Sequence, residues 1–86
     1  FVVEWTASAG VDLQAALREA GRRGPGAADA LLSQLRAAAE RLGQFPFSGS
    51  PYDDSPGTRE QSCHPYRIFY RTDEAAGRVY VLRLWH

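Results

Sequence analysis

The chain contains no lysine, and all ten of its basic residues are arginine. In a chain also rich in alanine and glycine, that total reads as genomic base composition, which leaves only the placement of the arginines to explain. There is a single cysteine, Cys63. This excludes an internal disulfide and a cysteine-based zinc site, and it fits a reducing, cytoplasmic setting. No apolar run approaches the roughly 20 residues that cross a bilayer, and no signal-peptide pattern is present, so no membrane partner is expected. The formal net charge is zero, which argues against a general nucleic-acid coat protein. Repeats, low-complexity tracts and interdomain linkers are also missing. With 86 residues the chain is read as one domain, 1–86, with no metal and no cofactor.

Hydrophobic residues make up 44% of the chain, enough for a core of limited size. Phe1 to Trp5 alternates as a short strand, and Thr6 or Ser8 can cap a following helix. Ala9, Leu13, Ala16, Leu17 and Ala20 lie on one face of that helix, which Gly21 and the Gly24-Pro25-Gly26 cluster end. A second helix carries Leu31, Leu32, Leu35, Ala38 and Leu42 as an apolar stripe and stops at Gly43. Pro46, Pro51 and Pro56 make residues 44–57 a loop, with Phe45 and Phe47 expected to pin it to the core. Three strands follow, Thr58–Cys63, Tyr66–Arg71 and Arg78–His86.

Side chains alternate between the two faces of a strand. Arg67 and Arg71 therefore share one face and Tyr66, Ile68 and Tyr70 the other. Strict alternation in the last strand groups Tyr80, Leu82, Leu84 and His86 against Val79, Val81, Arg83 and Trp85. The expected fold is α+β: an N-terminal strand, a helical hairpin, then a three-stranded antiparallel meander, forming one small sheet packed on the two helices. Its open face would expose Arg67, Arg71 and Arg83, a surface suited to phosphate or carboxylate. Residues 1–58 hold five arginines against seven acidic residues, a net of −2, and residues 59–86 hold five against three, a net of +2. The positive charge thus sits on the strand-rich half.

Several segments in this order resemble a known family. Glu4-Trp5-Thr6 ends the first strand, and Asp12-Leu13 lies in the first helix. The second helix ends in L-x-x-F-P (Leu42, Phe45, Pro46). Then come Gly57-Thr58-Arg59-Glu60, the Y-R-I-x-Y-R segment from Tyr66 to Arg71, and V-L-R-L-x-H from Val81 to His86. Together they resemble the RelE/ParE superfamily of type II toxin–antitoxin toxins, with the ParE and plasmid-stabilisation branch favoured. The resemblance implies a growth inhibitor, held in a hetero-oligomer by a cognate antitoxin. For the ParE-like branch it implies inhibition of DNA gyrase by binding; the binding residues expected from the arginine face are Arg67, Arg71 and Arg83.

The alternative implied by the same superfamily is a RelE-like or YoeB-like endoribonuclease that cuts mRNA on the ribosome. That chemistry needs a base, an acid and cations on the phosphate. The resemblance places Arg67, His86 and Asp54 where ribonuclease members carry such groups, and Arg59 is the candidate for a second phosphate contact. Beside these readings stand simpler ones: Arg67 as an ion-pair partner for an acidic antitoxin, Asp53 and Asp54 as turn residues, and Arg59 as half of an ion pair with Glu60.

Overall fold

A computed structural model describes all 86 residues. Strand β1 (Val2–Trp5) leads into helix α1 (Ala7–Arg23), then helix α2 (Ala27–Gln44). Strands β2 (Ser50–Pro51), β3 (Arg59–Cys63), β4 (Tyr66–Asp73) and β5 (Arg78–Trp85) follow. The five strands form one sheet in the order β1-β5-β4-β3-β2. The meander β3-β4-β5 is antiparallel as expected, whereas β1 runs parallel to β5, with Trp5 beside Val81. The parallel pairing follows from connectivity, because the helical hairpin and the meander return the chain to the start of the sheet.

Thr6 caps α1, its hydroxyl accepting from the N–H of Ala9 at 3.2 Å. The helix runs through Gly21 and ends only at Gly24, whose φ of 153° few side chains adopt. Gly43 does not stop α2 either. It lies inside the last turn, where a Cβ would meet the Phe1 carbonyl oxygen at 2.8 Å. The requirement at Gly43 is close approach to β1, not helix termination.

The two apolar helix faces and one sheet face meet in a single core. Leu35, Leu42, Ile68, Tyr70, Val79 and Val81 are its largest fully buried side chains. Each such aliphatic side chain contributes about 1.5–3 kcal/mol when taken out of water. Two expectations fail here. The loop before β3 adds the short strand β2, with Ser50 opposite Glu60. Phe45 and Phe47 do not enter the core, remaining 62% and 49% exposed.

The register of β5 also departs from strict alternation. Phe69 faces Arg83, but the next residue, Tyr70, faces Val81, leaving Leu82 as an extra residue. This β-bulge shifts the period by one. Val79, Val81 and Leu84 all point at the helices, while Tyr80, Arg83 and Trp85 lie on the other side with Arg67 and Arg71. The sequence-based grouping of β5 therefore mixed the two faces.

Candidate functional site

The sheet face turned away from the helices carries the expected arginines, but their charge is largely paired within the chain. Arg67 is exposed, and its Nη1 lies 3.3 Å from a carboxylate oxygen of Glu60 on β3. Glu60 thus pairs with Arg67, not with its neighbour Arg59. Arg78 pairs with Glu4 of β1. Arg71 donates to the Pro56 carbonyl at 3.3 Å, and neither it nor Arg59 has a carboxylate within ion-pair distance. Exposed pairs of this kind are worth roughly 0–1 kcal/mol each, so their main effect is to lower the field of the face.

Arg83 is held more firmly. β1 ends at Trp5, so β5 presents an open edge beyond Leu82. The Thr6 hydroxyl donates to the Leu82 carbonyl at 3.2 Å, and the Leu84 N–H donates to the Asp12 carboxylate at 2.9 Å. The same carboxylate accepts Nε and Nη2 of Arg83 at 2.8 and 2.9 Å, a bidentate fork. These contacts hold the Asp12 carboxyl below its ordinary value of 3.8, the Arg83 hydrogen bonds most of all, against a smaller opposing effect of desolvation. Arg83 is raised in turn, by its hydrogen bonds to Asp12 first.

Aromatic rings bridge the arginines. Phe69 meets Tyr52 edge-on at 4.9 Å and Trp85 at 5.1 Å, and the Arg83 guanidinium lies 5.1 Å from the centre of the Trp85 ring. Residues 52–58 fold over Phe69, closed by the Tyr52 N–H donating to the Thr58 carbonyl at 2.8 Å. The Tyr52 phenol is pushed above its usual value of 10.0, by desolvation first and then by the negative charge of Asp54, with Glu60 adding and Arg67 opposing.

Of the ribonuclease set, Asp54 lies in this turn, and His86 and Arg59 stand elsewhere. His86 packs edge-on against Tyr66 at 5.3 Å, on the helix side of the sheet. There it borders an open depression of about 510 Å³ with Asp12, Ala16, Glu19 and Leu84. Arg59 donates to the carbonyls of Phe47 (3.3 Å) and Gly49 (2.8 Å) and lies 5.5 Å from the Phe47 ring. Arg67 lies on the open face with Glu60, His86 on the opposite one, and Arg59 holds a loop. No group of three or more His, Cys, Asp or Glu could hold a metal ion.

Sequence reasoning gave no site role to Asp12 or Tyr52, and it paired Glu60 with Arg59 where the structure pairs it with Arg67. Asp12 is 71 residues from Arg83, and its one signal was its place in the Asp12-Leu13 pair of the family pattern. Tyr52 gave none, since the covering turn that sets it on Phe69 is closed by hydrogen bonds among Tyr52, Ser55 and Thr58 that no spacing rule announces.

Residues 3–86 match the family model of the ParE toxin of type II toxin–antitoxin systems, parDE. The fold is similar to that in a chromosomal ParDE toxin–antitoxin system from P. aeruginosa, with a TM-score of 0.81 and 21% identity. That match covers 100% of this chain and 95% of the other. It is also similar to a chain of the RelBE2 toxin–antitoxin complex from Mycobacterium tuberculosis, with a TM-score of 0.73, 26% identity, and coverage of 100% and 96%. No curated protein sequence matches the chain.

Proposed function

This chain belongs to the ParE toxin family of type II toxin–antitoxin systems, and from that premise we propose that it arrests growth by binding DNA gyrase, without cutting RNA. One observation carries the choice: Arg67 and His86 lie on opposite faces of the sheet. A phosphate held by Arg67 on the open face would have the sheet between it and the imidazole. Transfer of a proton to a leaving oxygen needs contact at about 2.6–3.2 Å, directly or through one water. The binding reading requires no such convergence. Its surface is the open face, where Arg71, Trp85 and the Arg67–Glu60 pair present polar and aromatic groups together.

The partner that holds the toxin inactive is a cognate antitoxin, in keeping with the complexes to which the fold is similar. No helix is long and apolar enough to cross a membrane. An antitoxin-held gyrase inhibitor would meet its partner and its target in the cytoplasm.

Two assays on the purified chain test the reading. Gyrase supercoiling of relaxed plasmid is expected to fall as the chain is added, while mRNA on translating ribosomes stays intact. The converse result, with Arg67→Ala or His86→Ala abolishing RNA cleavage, would establish the endoribonuclease instead.

A further inference from the structure

The backbone from Phe45 to Gly49 is fixed at nearly every acceptor. Ser48 N–H donates to the Phe45 carbonyl at 3.1 Å, and the Thr72 hydroxyl donates to the Pro46 carbonyl at 3.0 Å. Arg59 takes the carbonyls of Phe47 and Gly49. The Gly49 N–H donates to the buried Tyr70 hydroxyl at 2.9 Å. Phe45 itself donates to the Arg41 carbonyl at 2.7 Å, tying the segment to α2. Yet the two largest side chains of this clamped segment are left in solvent. Phe1 and Val2, also exposed, lie at the same end of the sheet, since the Phe1 carbonyl abuts Gly43 and Val2 pairs with Arg78.

We propose that Phe45 and Phe47 form a rigid hook that enters an apolar socket on the folded protein this toxin inhibits. The inference rests on the reading that the chain acts by binding a protein. Three observations select the occupant. Phenylalanine is enriched at the cores of protein interfaces, and the held backbone beneath these two rings lowers the entropy lost on docking. A protruding ring needs a concave receptor, which a folded protein supplies. A helical or extended tail would bring its own side chains to grooves, such as the one between Val3, Ala39 and Gly43. The cation beside Phe47, Arg59, has no carboxylate of its own, so the socket is expected to carry acidic residues at its rim.

The test compares the unmodified chain with Phe45→Ala/Phe47→Ala, Phe45→Tyr/Phe47→Tyr and Phe45→Glu. Each is expressed at matched level in bacteria without antitoxin, then purified for thermal melting, sedimentation and gyrase supercoiling. The alanine pair is expected to melt like the parent, to release cells from growth arrest, and to need about tenfold more protein or greater for half-inhibition. The tyrosine pair, which keeps the rings, should retain activity. Phe45→Glu leaves Phe47 on Arg59, and it should lose activity even if the alanine pair folds poorly. Full growth arrest by the alanine pair and by Phe45→Glu would overturn the hook. So would a parent dimer that the alanine pair converts to monomer, since the rings would then belong to a second copy. If the variants lose growth arrest while the parent leaves both gyrase and ribosome-bound mRNA untouched, the hook stands and the gyrase reading falls; mRNA cleaved by the parent would overturn the hook together with the binding reading.

Discussion

Asp12 on α1 grips Arg83 on β5 through two hydrogen bonds and closes the open sheet edge by accepting the N–H of Leu84. One carboxylate thus locks the helical hairpin to the strand that carries Trp85. Removing it leaves a strand N–H and a guanidinium without their acceptor. Asp12→Ala is expected to destabilise the fold by about 1–3 kcal/mol, the range for leaving a donor without its partner, measured by urea unfolding.

The same contact sets a pH dependence. The folded carboxyl titrates below its ordinary value of 3.8, so the stability it contributes is present above that value. It is lost as pH falls through the lowered folded value. The gap in melting temperature between the unmodified chain and Asp12→Asn should be constant near neutrality and should close only in acid below about pH 4. A gap that widens in acid would contradict this sign.

Tyr70 anchors the segment before β2. Tyr70→Phe removes the acceptor of the Gly49 N–H and should cost about 1–3 kcal/mol for the orphaned group. Gly49→Ala should be worse, because its Cβ would lie 2.6 Å from both the Glu60 carbonyl oxygen and the Tyr70 hydroxyl. Chemical denaturation of both variants checks the order.

Arg67→Ala should barely change stability. Its pair with Glu60 is exposed and 3.3 Å long, and such pairs contribute under about 1 kcal/mol. Any large loss of activity in this variant with an unchanged melting temperature therefore reports contact with the target or antitoxin.

Cys63 should react slowly. Desolvation raises its thiol above the usual 9.0, with Arg41 opposing only in part. Fewer thiolates at pH 8 mean slower alkylation than a free cysteine in a model peptide, which a timed mass-spectrometric labelling experiment would show.

Much of this fold was legible because its signals are local. The apolar stripes of α1 and α2 and the alternation of β4, with Arg67 and Arg71 out and Ile68 and Tyr70 in, follow from side-chain period alone. The bulge at Leu82 was not legible. One extra residue leaves the apolar pattern of β5 intact while moving Arg83 and Trp85 to the face opposite Val79 and Val81. Phe45 and Phe47 were misplaced for a related reason. Hydrophobicity assigns phenylalanine to a core, but here the loop is held by its carbonyls, through Arg59 and Thr72, and needs no ring for an anchor. The site suffered most, because pairs such as Asp12 and Arg83 join distant positions that no spacing rule connects.

The most direct test of the account is plasmid supercoiling by gyrase, measured as the purified chain is titrated in and with ribosome-bound mRNA followed in parallel. Supercoiling should disappear in a dose-dependent way while the message keeps its full length. Undiminished supercoiling beside cleaved message would contradict the account at its centre.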